Sequence, residues 1–229
     1  MLKACIALAT LAAVTAAPAH ALAKRKDAAA EATAPAVNAG QYAPVNYDKT
    51  VQPENVLLLD LSNGQRVAIR LMPEWAPEHV ARVKTLTQQG FYNNVVFHRV
   101  IDGFMAQTGD PTGTGQGGSS LPDLKAEFNP QPHLRGTVSM ARAASDDSAN
   151  SQFFIVFYPR FALDRKYTVF GRVIENMAAV DAIQRGEPPE NPTRIVQASL
   201  ASENKPMPAM TAPAQPAITA DELNKPIGN

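Results

Sequence analysis

The chain has 229 residues, with 21 basic and 21 acidic side chains, 19 prolines and one cysteine. A neutral balance excludes recognition driven by general charge attraction, whether to nucleic acid or to an anionic membrane. A lone Cys5 excludes an intramolecular disulfide framework and a multi-thiolate metal centre.

Residues 1–23 stand apart. Lys3 supplies a positive start, Ala4 to Ala17 carry no charge, and Ala19-His20-Ala21 or Ala21-Leu22-Ala23 offers a small-x-small cleavage site. The expectation is a secretory signal peptide, too short in its apolar run for the ~20 residues that span a bilayer. The mature protein is then expected to be exported, to the periplasm of a Gram-negative cell, with no cysteine and no membrane attachment. Residues 24–54 are Ala-rich and aperiodic and read as a linker or loosely attached arm. Residues 201–229 hold Pro206, Pro208, Pro213, Pro216 and Pro226 and read as a disordered tail.

Between them, residues 55–200 have the size of one domain. Asn55 to Leu61 and Gln65 to Leu71 are apolar runs joined through Ser62-Asn63-Gly64, a strong hairpin signal. Ala76 to Gln89 reads as a helix, with Pro77 and Glu78 in its first turn, Val80, Val83 and Leu86 on one stripe, and Gly90 as its stop. Val95 to Val100 and Phe104 to Thr108 form a second hairpin about Asp102-Gly103, running into the glycine-rich stretch 109–118. Strand patterns follow at Gly136 to Ala141, Gln152 to Phe157 and Thr168 to Val173. A second helix is expected over Glu175 to Arg185 and a last strand over Ile195 to Leu200. Eight strands with two helices predict a mainly β protein, a closed eight-stranded antiparallel barrel capped by two α-helices.

The second hairpin carries the chemistry. Side chains alternate along a strand, so His98 and Arg99 point to opposite faces while Met105 and Gln107 share one. A guanidinium, a primary amide, a thioether and a nearby phenyl ring suit an apolar ligand bearing carbonyl groups, and not a metal or phosphate. His98 is expected to be a hydrogen-bonded structural residue, and His79 and His133 are too scattered for a metal site. Gly113 to Gly118 matches G-x-G-x-x-G, but Ser119-Ser120-Leu121-Pro122 follows where that fingerprint needs a helix. No G-x-S-x-G elbow accompanies Ser139 or Ser151, which argues against a hydrolase. No cofactor is expected.

The central hairpin, with Ser139-Met140-Ala141, Ser151-Gln152-Phe153-Phe154-Ile155 and Val169-Phe170-Gly171-Arg172-Val173, resembles the cyclophilins, a family of peptidyl-prolyl cis-trans isomerases. The resemblance implies a groove outside the barrel that binds an extended X-Pro segment of a polypeptide. Carried over by position, it makes Arg99 the catalytic residue. Phe104, Met105, Phe154 and Leu163 would hold the proline ring, and Gln107, Gly115, Ala141, Arg142, Gln152 and Tyr167 would line the rest. Ala162 stands where members often have a tryptophan that serves cyclosporin, so weak or no cyclosporin binding is expected. Arg142 replaces a common asparagine and Tyr167 a common histidine. Members of this kind are usually monomers.

X-Pro bonds interconvert over tens to hundreds of seconds because amide resonance raises a barrier of about 18–20 kcal/mol. A catalyst need only favour the twisted amide. Two readings follow, an exported isomerase that assists folding or a holdase that binds prolyl segments without turnover; the joint presence of Arg99, Phe104, Gln107 and Phe154 favours the first.

Overall fold

A computed structural model describes residues 39–209. The expected signal peptide, the start of the Ala-rich arm and the tail beyond residue 209 lie outside the described residues.

The first hairpin pairs β1 (Val56–Leu61) with β2 (Arg66–Leu71) in the register Leu57↔Ile69 and Leu59↔Val67. Gly64, at φ +79°, turns the chain. Leu57, Leu59, Leu61, Val67, Ile69 and Leu71 all enter the main core, as alternation requires. The opposite face is buried too. There Arg70 is only 2% exposed, and its guanidinium donates to the carbonyls of Asn46, Asp48, Val51 and Gln52 at 2.6–3.2 Å. The indole of Trp75 donates to Ala43 O. Residues 43–52, expected to form part of a loose arm, are thus pinned to the sheet, because a buried guanidinium must find acceptors and the arm supplies them.

Helix α1 (Pro77–Gln88) seats Val80, Val83 and Leu86 against the core. Ala76 offers no side-chain cap. Instead Glu127 accepts the amide protons of Glu78 and His79 at 3.1 Å and bonds His79 Nδ1 at 2.6 Å. A carboxylate at the positive end of the helix satisfies two of its orphan donors.

Next come β3 (Arg99–Ile101), β4 (Met105–Thr108), β5 (Thr137–Met140), β6 (Phe153–Val156), β7 (Val169–Glu175), α2 (Met177–Asp181) and β8 (Ile195–Leu200). Helix α2 is shorter than the expected span from Glu175 to Arg185. Glu175 is claimed by pairing with Ala68 on β2, and Asn176, at φ 61°, caps the helix by accepting from Ala179 N.

Among the described residues the eight strands form one antiparallel sheet in the order β3-β4-β6-β5-β7-β2-β1-β8. The sheet curls but stays open, which corrects the expected closed barrel. Its edge strands do not pair with each other. Val100 on β3 exchanges both main-chain bonds with Gly186, while Phe97 N donates to Thr193 O and Ile195 N to Val95 O. The segment before β3 meets the start of β8, Ile195, only through an isolated Val96–Arg194 bridge and its flanking bonds, while β3 itself bonds the loop residue Gly186, so no continuous closing ladder forms and β3 is shorter than the expected Val95–Val100 run. Inside, Tyr92, Phe153 and Phe170 stack edge-to-face at centroid distances of 5.6 and 6.1 Å. Among the described residues no helix is long and apolar enough to cross a membrane.

Candidate active site

Strand register assembles the site. Arg99 on β3 lies opposite Gln107 on β4, Gln107 opposite Phe154 on β6, and Phe154 opposite Ser139 on β5. Directly opposed residues share a face, so these four form one row on the outside of the sheet. The adjoining row, Val100, Ala106, Ile155 and Val138, belongs to the core.

On the outer face Met105, Phe154 and Val156 make a separate buried cluster, bordered by Phe104, Ala141, Leu163 and Tyr167. It floors a cavity of about 630 Å³ lined by Arg99, Phe104, Met105, Gln107, Gly115, Ala141, Arg142, Phe154, Leu163 and Tyr167. A neighbouring cavity of about 560 Å³ shares Gln107, Gly115, Ala141 and Arg142 with it and adds Gln152. All eleven positions singled out in the sequence therefore meet in one place.

Phe154 is fixed from two sides. The Tyr167 ring meets its edge at 5.7 Å and the His133 ring stacks on it at 6.2 Å. Arg142 lies 4.8 Å over Tyr167, donates to Lys166 O and pairs with Asp146, so this part of the cavity wall is braced. Beneath Phe154, Ser139 Oγ meets His133 Nε2 at 2.9 Å and His133 Nδ1 meets Asp164 Oδ1 at 2.8 Å. The connectivity is that of a hydrolase triad, yet Ser139 and His133 are 0% exposed. An acyl group cannot reach this serine, and the chain of bonds serves to hold His133 under Phe154.

The polar side is a bracket of amides. Gln107 Nε2 donates to Gln152 Oε1 at 2.8 Å, and Gln152 Nε2 donates to Gly115 O and Gly117 O at 3.0 and 2.8 Å. Asp110 holds the same glycine loop from below, accepting from Thr112 N, Gly115 N and Gly117 N and from the Thr112 hydroxyl. A Cβ on Gly117 would fall 2.1 Å from Asp110 Oδ1, so no side chain fits there. Burial pushes the Asp110 carboxyl up, but the Thr112 bonds and the two glycine amides outweigh it and bring the pKa down to about 2.

Five residues that line the main cavity were not among those singled out in the sequence: His98, Gly113, Thr114, Glu187 and Pro188. His98 alternates away from Arg99, but the loop at Gly115 folds over it, and a Cβ on Gly115 would lie 3.4 Å from the imidazole. The Gln152 side chain and the Val96 backbone are its polar neighbours, as expected of a structural histidine. Burial depresses the pKa of His98, and burial likewise depresses that of His133 despite Asp164. Both rings take up a proton less readily in the fold than in the unfolded chain, where histidine titrates near about 6.5. The unfolded state then binds more protons, so stability falls as pH drops through that value. The urea midpoint is expected to decline from pH 7 to pH 5, and less steeply in His98→Gln; a wild-type midpoint that is flat over this window would contradict the assignment.

Arg99 Nε donates to Glu187 Oε2 at 2.7 Å. Glu187 comes from the loop between α2 and β8, a contact that no local pattern in the sequence signals. Among the described residues no three metal-ligating side chains cluster. The arrangement can grip an apolar ring, bond to peptide groups along its edge and present one guanidinium beside the ring.

Residues 57–200 match the family model described as cyclophilin type peptidyl-prolyl cis-trans isomerase. A probable peptidyl-prolyl cis-trans isomerase of Brucella suis is 47% identical over 169 residues, covering 67% of this chain and 86% of the relative. A peptidyl-prolyl cis-trans isomerase of Helicobacter pylori is 42% identical over 130 residues, covering 55% of this chain and 78% of the relative. A solved cyclophilin from Hirschia baltica superposes with a TM-score of 0.62 at 30% identity, over 68% of this chain and 77% of that one. A Cryptosporidium parvum cyclophilin type isomerase, solved in the presence of the dipeptide Ala-Pro, gives 0.59 at 28% identity over 63% and 98%.

Proposed function

The chain belongs to the cyclophilin-type peptidyl-prolyl cis-trans isomerase family and acts as a peptidyl-prolyl isomerase, and from that premise we propose that its outer cavity is the active site, with Arg99 as the catalytic residue. The observation that carries the assignment is the cross-strand row that sets Arg99, Gln107 and Phe154 side by side.

The proline ring sits on Met105 and Phe154 between Phe104 and Leu163, where the apolar floor is already dry. Gln107, oriented by Gln152, meets the peptide backbone, and Ala141 and Gly115 border the flanking residues. As the amide twists, its nitrogen becomes pyramidal and gains a lone pair. Arg99 donates to that nitrogen or to the prolyl carbonyl, and a donor of this kind gains strength where the substrate has displaced water. Arginine stays protonated and holds its donors in a rigid fork. Favouring the twisted state by about 7 kcal/mol corresponds to roughly 10⁵-fold acceleration. No bond forms or breaks, and neither metal nor cofactor enters the scheme. The relative solved with Ala-Pro supports a proline-containing peptide as ligand.

In this reading the protein is exported, periplasmic and monomeric, and it assists the folding of exported chains. The charge-free run from Ala4 to Ala17 behind Lys3 supports export. Cyclosporin binds weakly or not at all, since the exposed Ala162 beside Leu163 offers no indole.

Titration with an Ala-Pro tetrapeptide tests the placement. Exchange between its cis and trans forms is expected to quicken, and amide shifts are expected at Phe104, Gln107, Ala141 and Phe154. Quickened exchange with shifts confined to the opposite face, around Leu58 and Ala68, would refute the site and leave the activity standing.

A further inference from the structure

Arg99 is 43% exposed at its side chain, and a free guanidinium on a flexible stem samples many rotamers. A rigid fork is useful in catalysis only if something aims it. On one side, register supplies Gln107 as a neighbour on the same face. On the other lies Glu187, outside every strand and helix.

That loop is not free to wander. Gly186 exchanges two main-chain bonds with Val100, the residue after Arg99, at 2.8 and 2.9 Å. Each residue's neighbour is thereby locked across the seam, Arg99 on one side and Glu187 on the other. A Cβ on Gly186 would lie 2.5 Å from Pro189 Cα, so this close approach needs glycine. Just upstream, Arg185 bonds Asp181 O and Ile183 O at 2.6 Å and lies 4.2 Å over the Phe157 ring. The loop is anchored to both the core and β3, and it presents one carboxylate to one guanidinium.

We infer that Glu187 is a positioning residue: it holds Arg99 by Nε so that the terminal amino groups of the guanidinium face the prolyl bond. The inference rests on Arg99 being the catalytic residue. Arginine has five N–H donors, and engaging Nε uses the one nearest the stem while leaving four at the tip. Bonding at Nε also restricts rotation about the last bonds of the side chain, which is the freedom that would blur the aim.

Because exposed ion pairs are weak, the effect is a few-fold and not a hundredfold. In the full mature protein, Glu187→Ala is expected to lower kcat for an Ala-Pro peptide about fivefold with KM changed less than twofold. Glu187→Gln, whose amide oxygen can still accept from Nε, retains most of the rate. The Arg99 Nε–H resonance, slowed in solvent exchange in the wild type, is expected to exchange faster in Glu187→Ala. In an Arg99→Lys background, which lacks that N–H, Glu187→Ala is expected to have no further effect, a non-additivity that a merely structural role would not produce.

Unchanged kcat in Glu187→Ala, or the same fold loss in the Arg99→Lys background, would overturn the positioning role while leaving Arg99 catalytic. Full activity of Arg99→Lys and Arg99→Ala would overturn the assignment of Arg99 itself, and the role of Glu187 with it.

Discussion

Arg99→Ala is expected to lower kcat/KM for prolyl isomerisation by about 10²–10³-fold, the range typical for removing one preorganised donor from a transition state. Peptide affinity should change only a few-fold, because the proposed ring pocket of Phe104, Met105, Phe154 and Leu163 is untouched. Stability should hardly move, since the side chain is exposed and its partner Glu187 is exposed as well. Arg99→Lys should fall between, keeping the charge but not the fork. NMR exchange spectroscopy on one peptide reads rate and affinity together. A loss below tenfold, with the fold intact, would show that the twisted amide is stabilised by other groups.

Asp110→Ala is the substitution expected to cost most in stability outside the main core. Its carboxylate is 0% exposed and gathers three backbone amides and a hydroxyl, at 2.6 Å from Gly115 N and 2.7 Å from Thr112 N. Hydrogen bonds to a charged acceptor are worth about 1.5–3 kcal/mol each in protein, and some of the freed amides can turn to water, so a net loss of about 2–4 kcal/mol follows. The same ledger appears in pH. A pKa of about 2, against an ordinary 3.8, means the folded form releases this proton more readily than the unfolded chain. That contribution, on the order of 2 kcal/mol, is present above about pH 4 and is lost as pH falls toward 2. The variant should also bind peptide several-fold more weakly, since Gln152 is tied to Gly115 O and Gly117 O and orients Gln107 in turn. A urea midpoint within error of the wild type would mean the loop holds itself without Asp110.

Much of this was open to reading from the chain alone, and the exceptions have physical causes. Strand β8 spans Ile195–Leu200 as expected, and β1 and β2 differ from expectation by one residue, because an apolar run next to an Asn-Gly turn is a local signal. Strand β3 and helix α2 came out shorter because main-chain partners far along the chain, near Thr193 and Ala68, compete for their ends. Composition marks the arm as loose, and composition does not reveal that Arg70 is buried and in need of carbonyls. In the site, the apolar floor and the two glutamines were legible as strand residues in a known order. Glu187 was not, since its contact with Arg99 spans 88 positions and depends on two loop bonds to Val100.

Phe153 and Phe154 are adjacent in the chain yet belong to different clusters, one packed among Tyr92 and Phe170 and the other beneath the ligand cavity. A slip of one residue in β6 would exchange them, putting the site's floor into the core and a core ring into the groove. The pleat therefore works as a partition between two sets of demands. Inward positions answer to durability and outward ones to recognition, so residues such as Arg142 and Tyr167 can change on one side of the wall without unsettling the other. Diversity in what such a protein recognises can then arise at little risk to whether it folds.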